Sequence, residues 1–292
     1  MGSPAVAASR SSLADYLDLT KPRITLMVVL TAMLGFVVGA PQMRSGALVS
    51  MALGTGLVAA GASVLNMILE RRTDGLMLRT RERPLPAGRL RSGEAMRFGV
   101  LLTAAGLAVL LWLSGPVAAA VALVTWSSYL FAYTPLKPVT SLSTIVGAFP
   151  GALPPVIGWA AARGSIDPGA VVLFAILFLW QIPHFLAIAW IYREDYARGG
   201  LPMLPVVDPE GRMTGRQAVA NSLALLLVSL TPYLAGMAGR IYLAGAIALG
   251  LLLTAAAVRV AVVRSLAAAR ALFIASLVYL TGLCTLLMLD RR

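Results

Sequence analysis

Three oxygen-bearing side chains follow one another at intervals of four residues, near the end of an apolar stretch. Asn66, Glu70 and Asp74 occupy positions i, i+4 and i+8, which a helix places along one face. Carboxylate and amide oxygens suit Mg2+, which in proteins usually also keeps waters or substrate phosphates as ligands. The spacing therefore predicts a site for a metal–diphosphate complex. The alternative is that Glu70 and Asp74 only pair with nearby arginines in a solvated loop.

The segment after these residues is rich in arginine and proline. It reads RTRERPLPAGR over residues 79–89. Proline and glycine restrict the backbone, and guanidinium groups match the geometry of phosphate oxygens. Phosphate binding is one interpretation of this pattern, and a basic loop beside anionic lipid is the other.

The single histidine of the chain, His184, lies within another apolar stretch. Gln181 precedes it by three residues and Pro183 by one, so this part of the predicted helix is polar and kinked. An ionisable residue inside an apolar span is by default a functional hypothesis. Three roles stay open for His184: a general base, a ligand of haem iron, or a hydrogen-bond donor that bridges two helices.

Composition sets the class of protein that must position these residues. Of 292 residues, 59% are hydrophobic and 12% are charged, whereas soluble domains are roughly 45–50% apolar and about 25% charged. The apolar stretches are continuous, which excludes disorder and argues against a membrane β-barrel. We predict an all-α polytopic membrane protein with nine spanning helices. The predicted spans are 24–40, 45–68, 95–113, 115–133, 141–162, 168–190, 218–238, 240–258 and 270–289.

Charge predicts the orientation of this bundle. The 24 Lys and Arg residues outnumber the 12 Asp and Glu residues, and most of them lie in the N-terminal arm and in the loops after even-numbered spans. The positive-inside rule therefore predicts a cytoplasmic N-terminus and an outside C-terminus. In a membrane protein this excess reports topology, so we do not expect nucleic acid as a partner. We expect residues 1–23 to form a cytoplasmic arm and residues 24–290 a single membrane domain.

Several motifs resemble those of the UbiA-type intramembrane prenyltransferases, and within that family the branch that acts on haem. The resemblance covers nearly the whole chain. It rests on LTKPR at 19–23, the motif from Asn66 to Asp74 with RTRERPLPAG at 79–88, YTPLK at 133–137, GALPPVIGW at 151–159, and residues 180–205 with their PMLP ending. The resemblance implies nine helices around a cavity open to the membrane. It also implies two acidic motifs that face one another on the cytoplasmic side of the inner membrane.

The resemblance further implies a Mg2+-dependent transfer of the farnesyl group of farnesyl diphosphate to a vinyl group of haem B. Water would complete the product, haem O. The implied roles are Mg2+ binding by Asn66, Glu70, Asp74 and Asp195, catalysis by Asp74, Asp195 and His184, diphosphate binding by Lys21, Arg23, Arg79, Arg83 and Lys137, and haem binding by His184. It also points to membrane lipid as the surroundings and to a haem A synthase or an oxidase as an assembly partner.

Three positions depart from the usual motifs of this family. Glu70 replaces the middle aspartate of N-x-x-x-D-x-x-x-D, Arg72 replaces an acid, and Ile191 replaces the first aspartate of a second D-x-x-x-D motif. The longer glutamate shifts a bound metal by up to about 1–1.5 Å unless the helix adjusts. The single aspartate of the second motif favours haem over quinone precursors. Two alternatives stay open: a UbiA-type transferase with an aromatic acceptor, such as a quinone or chlorophyll precursor, and a transporter.

Overall fold

A computed structural model describes residues 12–292 of the chain. In that part, nine helices are long and apolar enough to cross a membrane, which confirms the predicted all-α polytopic class. They are α1 (Pro22–Gly39), α2 (Ser45–Leu69), α3 (Ser92–Ser114), α4 (Pro116–Leu136), α5 (Ser143–Arg163), α6 (Pro168–Ile191), α7 (Arg212–Leu234), α8 (Arg240–Val263) and α9 (Leu266–Leu289).

The observed bounds differ from the predicted ones most at both ends of α7, at the start of α9 and at the end of α8, which extends to Val263. Helix α7 starts at Arg212 instead of 218, and α9 starts at Leu266, where the Ser265 side chain accepts a hydrogen bond from the N–H of Ala268. A search for apolar runs excludes the charged first turn of α7, Arg212 to Arg216, although such turns lie where a spanning helix meets water.

The predicted N-terminal arm lies partly outside the described residues, since these begin at Ser12. Its described part forms a short helix, Leu13–Leu19, which Ser12 and Asp15 close at its start with reciprocal hydrogen bonds. Asp15 also pairs with Arg89 of the loop between α2 and α3 at 2.8 Å. This end of the arm is therefore attached to the domain.

The arginine- and proline-rich loop is packed onto the domain and does not project from it. Leu85 and Leu90 are buried in a cluster with Leu19 before α1 and with Val64 and Met67 of α2. Burial of these apolar side chains fixes the loop over the end of α2. Its arginines are therefore presented from an ordered backbone.

Helices α4 and α5 depart from regular geometry close to the predicted site. In α4 the turn from Ser128 to Tyr133 is π-helical, a distortion that often accompanies functional sites. Helix α5 divides at Leu153 into the segments Ser143–Ala152 and Pro154–Arg163, because prolines cannot continue the hydrogen-bond ladder.

Close helix packing relies on small residues. At the crossing of α1 with the second half of α5, a Cβ on Gly158 would lie 1.8 Å from the carbonyl oxygen of Ala32, and one on Gly35 would lie 2.0 Å from that of Pro155. Only glycine permits this approach.

Helix α2 packs most extensively against α3, while α6 to α9 pack in succession and α6 also contacts α9. Hydrogen bonds from Asn66 near the end of α2 to Lys21 and to Thr134 bring the ends of α2 and α4 to the start of α1.

Candidate active site

Three of the four predicted metal-binding residues, Asn66, Glu70 and Asp74, lie where α2 ends. Helix α2 stops at Leu69, and Asp74 lies on a separate short helix, Arg71–Leu76, so the predicted helical face is interrupted at Glu70. The i to i+4 pattern nevertheless continues across the interruption. The N–H of Glu70 donates to the carbonyl of Asn66 at 2.9 Å, and that of Asp74 donates to the carbonyl of Glu70 at 2.8 Å.

Asn66 is fully buried and its amide is fixed from both sides. Its Oδ1 accepts a hydrogen bond from Lys21 Nζ at 2.9 Å, and its Nδ2 donates to Thr134 Oγ1 at 3.0 Å. The Thr134 hydroxyl in turn donates to the carbonyl of Tyr129 at 2.8 Å, in the π-helical part of α4. Asn66 thus joins α2, α4 and the residue before α1. Thr134 had no marker in the sequence beyond its place in the YTPLK motif.

Lys21 reaches this amide from a strained backbone. Its φ is 47°, in the left-handed region, although the residue is not glycine and is followed by Pro22. Such a conformation costs roughly 1–2 kcal/mol, so the surrounding contacts must hold it. Burial lowers the pKa of the Lys21 ammonium to about 8; the charge of Glu70 opposes the shift, and those of Arg83 and Lys137 add to it.

Glu70 and Lys137 form the second contact of the cluster. Lys137 Nζ lies 2.6 Å from Glu70 Oε1, and the two side chains are 19% and 10% exposed respectively. Burial works against the ionised Glu70, but the charges of Lys137 and Lys21 outweigh it and hold the pKa of Glu70 below its usual range. The Lys137 ammonium also lies 5.2 Å from the centre of the Tyr133 ring.

Asp74 and Arg83 form the third contact. Arg83 Nη1 lies 2.7 Å from Asp74 Oδ2, and the Asp74 side chain is almost fully buried. The backbone carbonyl of Asp74 accepts a hydrogen bond from Thr80 Oγ1 at 2.8 Å, which anchors the loop independently of the carboxylate. Asn66, Glu70 and Asp74 are thus each held by one cation, from Lys21, Lys137 and Arg83 respectively.

Asp195 lies outside this cluster and anchors the loop that follows α2. Its oxygens accept hydrogen bonds from the backbone N–H of Leu78 at 2.8 Å and of Arg79 at 3.2 Å, and from Arg198 at 2.9 Å. Burial opposes ionisation, but these donors hold the pKa of Asp195 below its usual range. Asp195 therefore connects the loop after α6 to the loop after α2.

Two predicted diphosphate-binding residues and one departure from the motif also lie outside the cluster. The Arg79 guanidinium lies 5.3 Å from the centre of the Tyr192 ring. Arg23 and Arg72 are exposed, and neither forms an ion pair with a carboxylate of residues 12–292. The structure thus brings together Lys21, Arg83 and Lys137 from the predicted set of cations.

His184 bridges α6 to α9. Its Nδ1 lies 2.8 Å from Ser276 Oγ, and the Ser276 hydroxyl donates its only proton to the carbonyl of Phe273 at 2.6 Å. We therefore assign the proton of the His184–Ser276 hydrogen bond to Nδ1, which leaves the lone pair of a neutral ring on Nε2. The ring is stacked against Trp180 and Phe273, with centres 4.8 and 5.1 Å apart. Ser276 was not identified from the sequence.

The donor atoms of the cluster fit a metal that also takes ligands from its substrate. Among residues 12–292, no group of three acidic, histidine or cysteine side chains converges on a point that could hold a metal ion. Glu70, Asp74 and the amide of Asn66 nevertheless supply the hard oxygen atoms that Mg2+ takes alongside substrate phosphates. Three cations lie beside these oxygens, as the binding of a diphosphate requires.

Known relatives match almost the entire chain. A protein named protoheme IX farnesyltransferase from Solibacter usitatus is 50% identical over 288 residues, covering 95% of this chain and 98% of its own length. One of the same name from Koribacter versatilis is 44% identical, covering 96% and 94%.

Solved structures share the fold at low sequence identity. A structure of digeranylgeranylglyceryl phosphate synthase matches with a TM-score of 0.81 at 17% identity, covering 95% of this chain and 98% of that one. A UbiA homologue from Archaeoglobus fulgidus bound to GPP and Mg2+ matches with a TM-score of 0.65 at 18% identity, covering 94% and 99%.

The sequence model of the UbiA prenyltransferase family matches residues 28–281, a range that contains Asn66, Glu70, Asp74 and the seven complete spanning helices α2 to α8. Because this match covers most of the chain and the relatives exceed 30% identity along it, the chain belongs to the UbiA prenyltransferase family.

Proposed function

We propose that this chain transfers the farnesyl group of farnesyl diphosphate to a vinyl group of haem B. The allylic C1–oxygen bond breaks, diphosphate leaves with the bonding electrons, and the vinyl group forms a new carbon–carbon bond to C1. Water adds to the resulting cation and releases one proton, which gives haem O. The observation that carries the proposal is the 50% identity to a protein named protoheme IX farnesyltransferase along 95% of the chain.

The cluster at the end of α2 supports the first half of this reaction. We propose that Asn66, Glu70 and Asp74 hold Mg2+, which when bound would stabilise, as a Lewis acid, the charge that develops on the leaving diphosphate. Lys21, Lys137 and Arg83 lie at 2.9, 2.6 and 2.7 Å from the oxygens of these same residues. Their positive charges are therefore in place to bind phosphate oxygens and stabilise the leaving group.

Burial of the cluster supports the same role. Asn66 is 0% exposed and Asp74 1%, so water has little access to the acids. Electrostatic stabilisation is stronger in such a water-poor site than in bulk solvent. Restricted access also protects an allylic cation from early hydrolysis.

His184 is our proposed contact for the haem. Its Nε2 is the ring nitrogen that Ser276 leaves unprotonated in a neutral ring, and no described residue donates a hydrogen bond to it. A neutral imidazole nitrogen is a common ligand of haem iron. The Nδ1 hydrogen bond fixes the orientation of the ring, as partners of metal-bound histidines usually do. Bridging α6 to α9 and binding haem are therefore compatible roles.

Asp195 was predicted to bind Mg2+ and to act in catalysis, and its contacts favour a positioning role. Its carboxylate already accepts hydrogen bonds from Leu78, Arg79 and Arg198. We propose that it holds the segment that carries Thr80 and Arg83 against Asp74. Binding of diphosphate by Arg23 and Arg79 stays a prediction.

The chain is a multi-pass membrane protein and a transferase by family, which removes the transporter alternative. The names of its relatives give no support to a quinone or chlorophyll precursor as acceptor. We propose the inner membrane as its location, with a cytoplasmic N-terminus, an outside C-terminus and the active site on the cytoplasmic side, because the positive-inside rule assigns basic loops to that side. Assembly with a haem A synthase or an oxidase stays a prediction.

The reaction itself is testable with purified protein, haem B, farnesyl diphosphate and Mg2+. We expect mass spectrometry to detect a hydroxyethylfarnesyl haem that disappears when EDTA removes the metal. Prenylation of an aromatic acid but not of haem would retain the metal site and contradict the proposed acceptor. Absence of product with every acceptor would contradict the proposed activity.

We expect Asp74→Ala to reduce turnover by at least about 10²-fold, because it removes a metal ligand and the partner of Arg83. The variant should be less stable than the parent but still folded, since Thr80 binds the backbone carbonyl at this position and Arg83, 25% exposed, can turn to water. Glu82→Ala is the matched control, because Glu82 is exposed and pairs only with Arg81. A folded Asp74→Ala variant with normal turnover would contradict the metal assignment.

For Asp195→Ala we expect faster amide hydrogen exchange in residues 77–80. Loss of hydrogen bonds to a carboxylate, each worth about 1.5–3 kcal/mol, corresponds to at least about tenfold faster exchange. Asp208→Ala is the control, because Asp208 accepts from the N–H of Thr214 in a different segment. Unchanged exchange together with a raised Mg2+ requirement would instead support Asp195 as a metal ligand.

We expect His184→Ala to lose affinity for haem while binding of farnesyl diphosphate is retained. Ser276→Ala keeps the imidazole but removes the acceptor of its Nδ1 proton, so haem affinity should fall by a smaller factor. Absorbance titration with haem and calorimetry with farnesyl diphosphate measure the two affinities separately. Unchanged haem binding in a destabilised His184→Ala protein would show that the residue only bridges helices.

A further inference from the structure

A cavity lies beside the cluster, on the other side of the segment that Asp195 holds. It has a volume of about 570 Å³ and is bounded by the loop after α2, the residues after α6 and the turn between α8 and α9. The segment between the two sites is short. Leu78 donates to Asp195 on the side of the cavity, and Thr80 donates to the carbonyl of Asp74 on the side of the cluster.

The cavity is positively charged. Its lining contains four arginines, Arg79, Arg193, Arg198 and Arg264, and two acids, Glu194 and Asp195, an excess of two positive charges. Asp195 and Arg198 neutralise one another at 2.9 Å. The other three arginines have no carboxylate within 4.0 Å among residues 12–292. Their charges are thus available to a ligand.

Aromatic rings hold two of these guanidinium groups in place. Arg79 lies 5.3 Å from the centre of the Tyr192 ring, and Arg193 lies 4.9 Å from that of the Trp190 ring. Contact with a ring face leaves the N–H groups in the guanidinium plane free to bind oxygen atoms. The rings therefore position the cations without consuming their hydrogen-bond donors.

Arg264 is held in an unusual backbone conformation. Its φ is 50°, and in the described chain the only other residue besides glycine with a positive φ is Lys21 of the cluster. Glycine is the residue that usually ends a helix in this conformation. A large cationic side chain here, at the end of α8, is costly for the backbone and leaves its charge at the cavity.

We propose that this cavity binds the two propionate groups of the porphyrin acceptor, an inference that rests on the proposed farnesylation of haem and that assigns Arg79 to haem instead of diphosphate. Two ionised carboxylates match the excess of two positive charges, and guanidinium groups bind carboxylates through paired hydrogen bonds. Haem B carries its propionates on the edge of the macrocycle opposite its vinyl groups. Propionates held in the cavity anchor one edge of the porphyrin and leave the vinyl edge free to reach farnesyl diphosphate.

The test compares haem B with its dimethyl ester, in which both propionates are neutral. The full chain is placed in nanodiscs of phosphatidylcholine and titrated with each compound. We expect the parent to bind haem B at least about tenfold more tightly than the ester, as hydrogen bonds to charged groups imply. Equal affinity for the two compounds would overturn the proposal.

Two variants locate this preference in the cavity. Arg193→Gln removes one charge, and Arg264→Gly removes another while placing the residue best suited to the observed φ. Each should weaken binding of haem B by about tenfold and leave binding of the ester unchanged. Arg259→Gln is the control, because Arg259 is exposed on α8 and does not line the cavity. Equal weakening of both compounds would overturn the proposal.

Two further measurements distinguish the propionates from other anions that could occupy the cavity. A raised KM for farnesyl diphosphate in the variants, with haem affinity unchanged, would assign the cavity to diphosphate. Loss of the preference for haem B when phosphatidylglycerol is added to the nanodiscs would assign it to a lipid headgroup. Either result overturns the proposal.

Product formation by the parent is measured in the same samples, so turnover of haem without discrimination of the ester refutes this inference alone. Absence of both haem binding and product refutes the proposed function as well.

Discussion

The structure around the site depends on the pairing of buried oxygen atoms at the end of α2 with cations from three other segments. An unpaired charge in such a place costs several kcal/mol, so each acid needs a partner. Lys137 after α4 and Arg83 in the following loop supply these partners, and Lys21 before α1 donates to the neutral amide of Asn66 beside them. The same contacts that make the acids tolerable also assemble the site, because they bring four segments of the chain to one point.

This arrangement gives the site a chemical property that the acids alone would lack. Negative groups suited to a metal and positive groups suited to a phosphate alternate at hydrogen-bond distance. A metal–diphosphate complex carries both kinds of charge. Its Mg2+ can take the place of the protein cations beside the acids, and its phosphate oxygens can take the place of the acids beside the cations. The lowered pKa of Glu70 keeps it ionised for that exchange. The strained backbone of Lys21 indicates that its position is maintained at a cost in stability.

Much of this was predictable from the sequence, because the relevant signals are local. Apolar length predicts the nine helices, and four-residue spacing predicts that Asn66, Glu70 and Asp74 lie close together. Contacts between distant loops have no such signal. Asp195 is separated from Leu78 by 117 positions, and its role as an anchor follows only from the packing of the two loops. For the same reason Thr134, Ser276 and the cavity beside Arg79 were found in the structure alone.

The central claim is that the cations at the end of α2 exchange their protein partners for phosphate oxygens. The most direct test is an experimental structure with Mg2+ and farnesyl thiodiphosphate, an analogue that ionises slowly. We predict Mg2+ on Asn66, Glu70 and Asp74, with the nitrogens of Lys21, Lys137 and Arg83 turned to the diphosphate. A diphosphate bound elsewhere, with the Lys137–Glu70 and Arg83–Asp74 contacts intact, would contradict it.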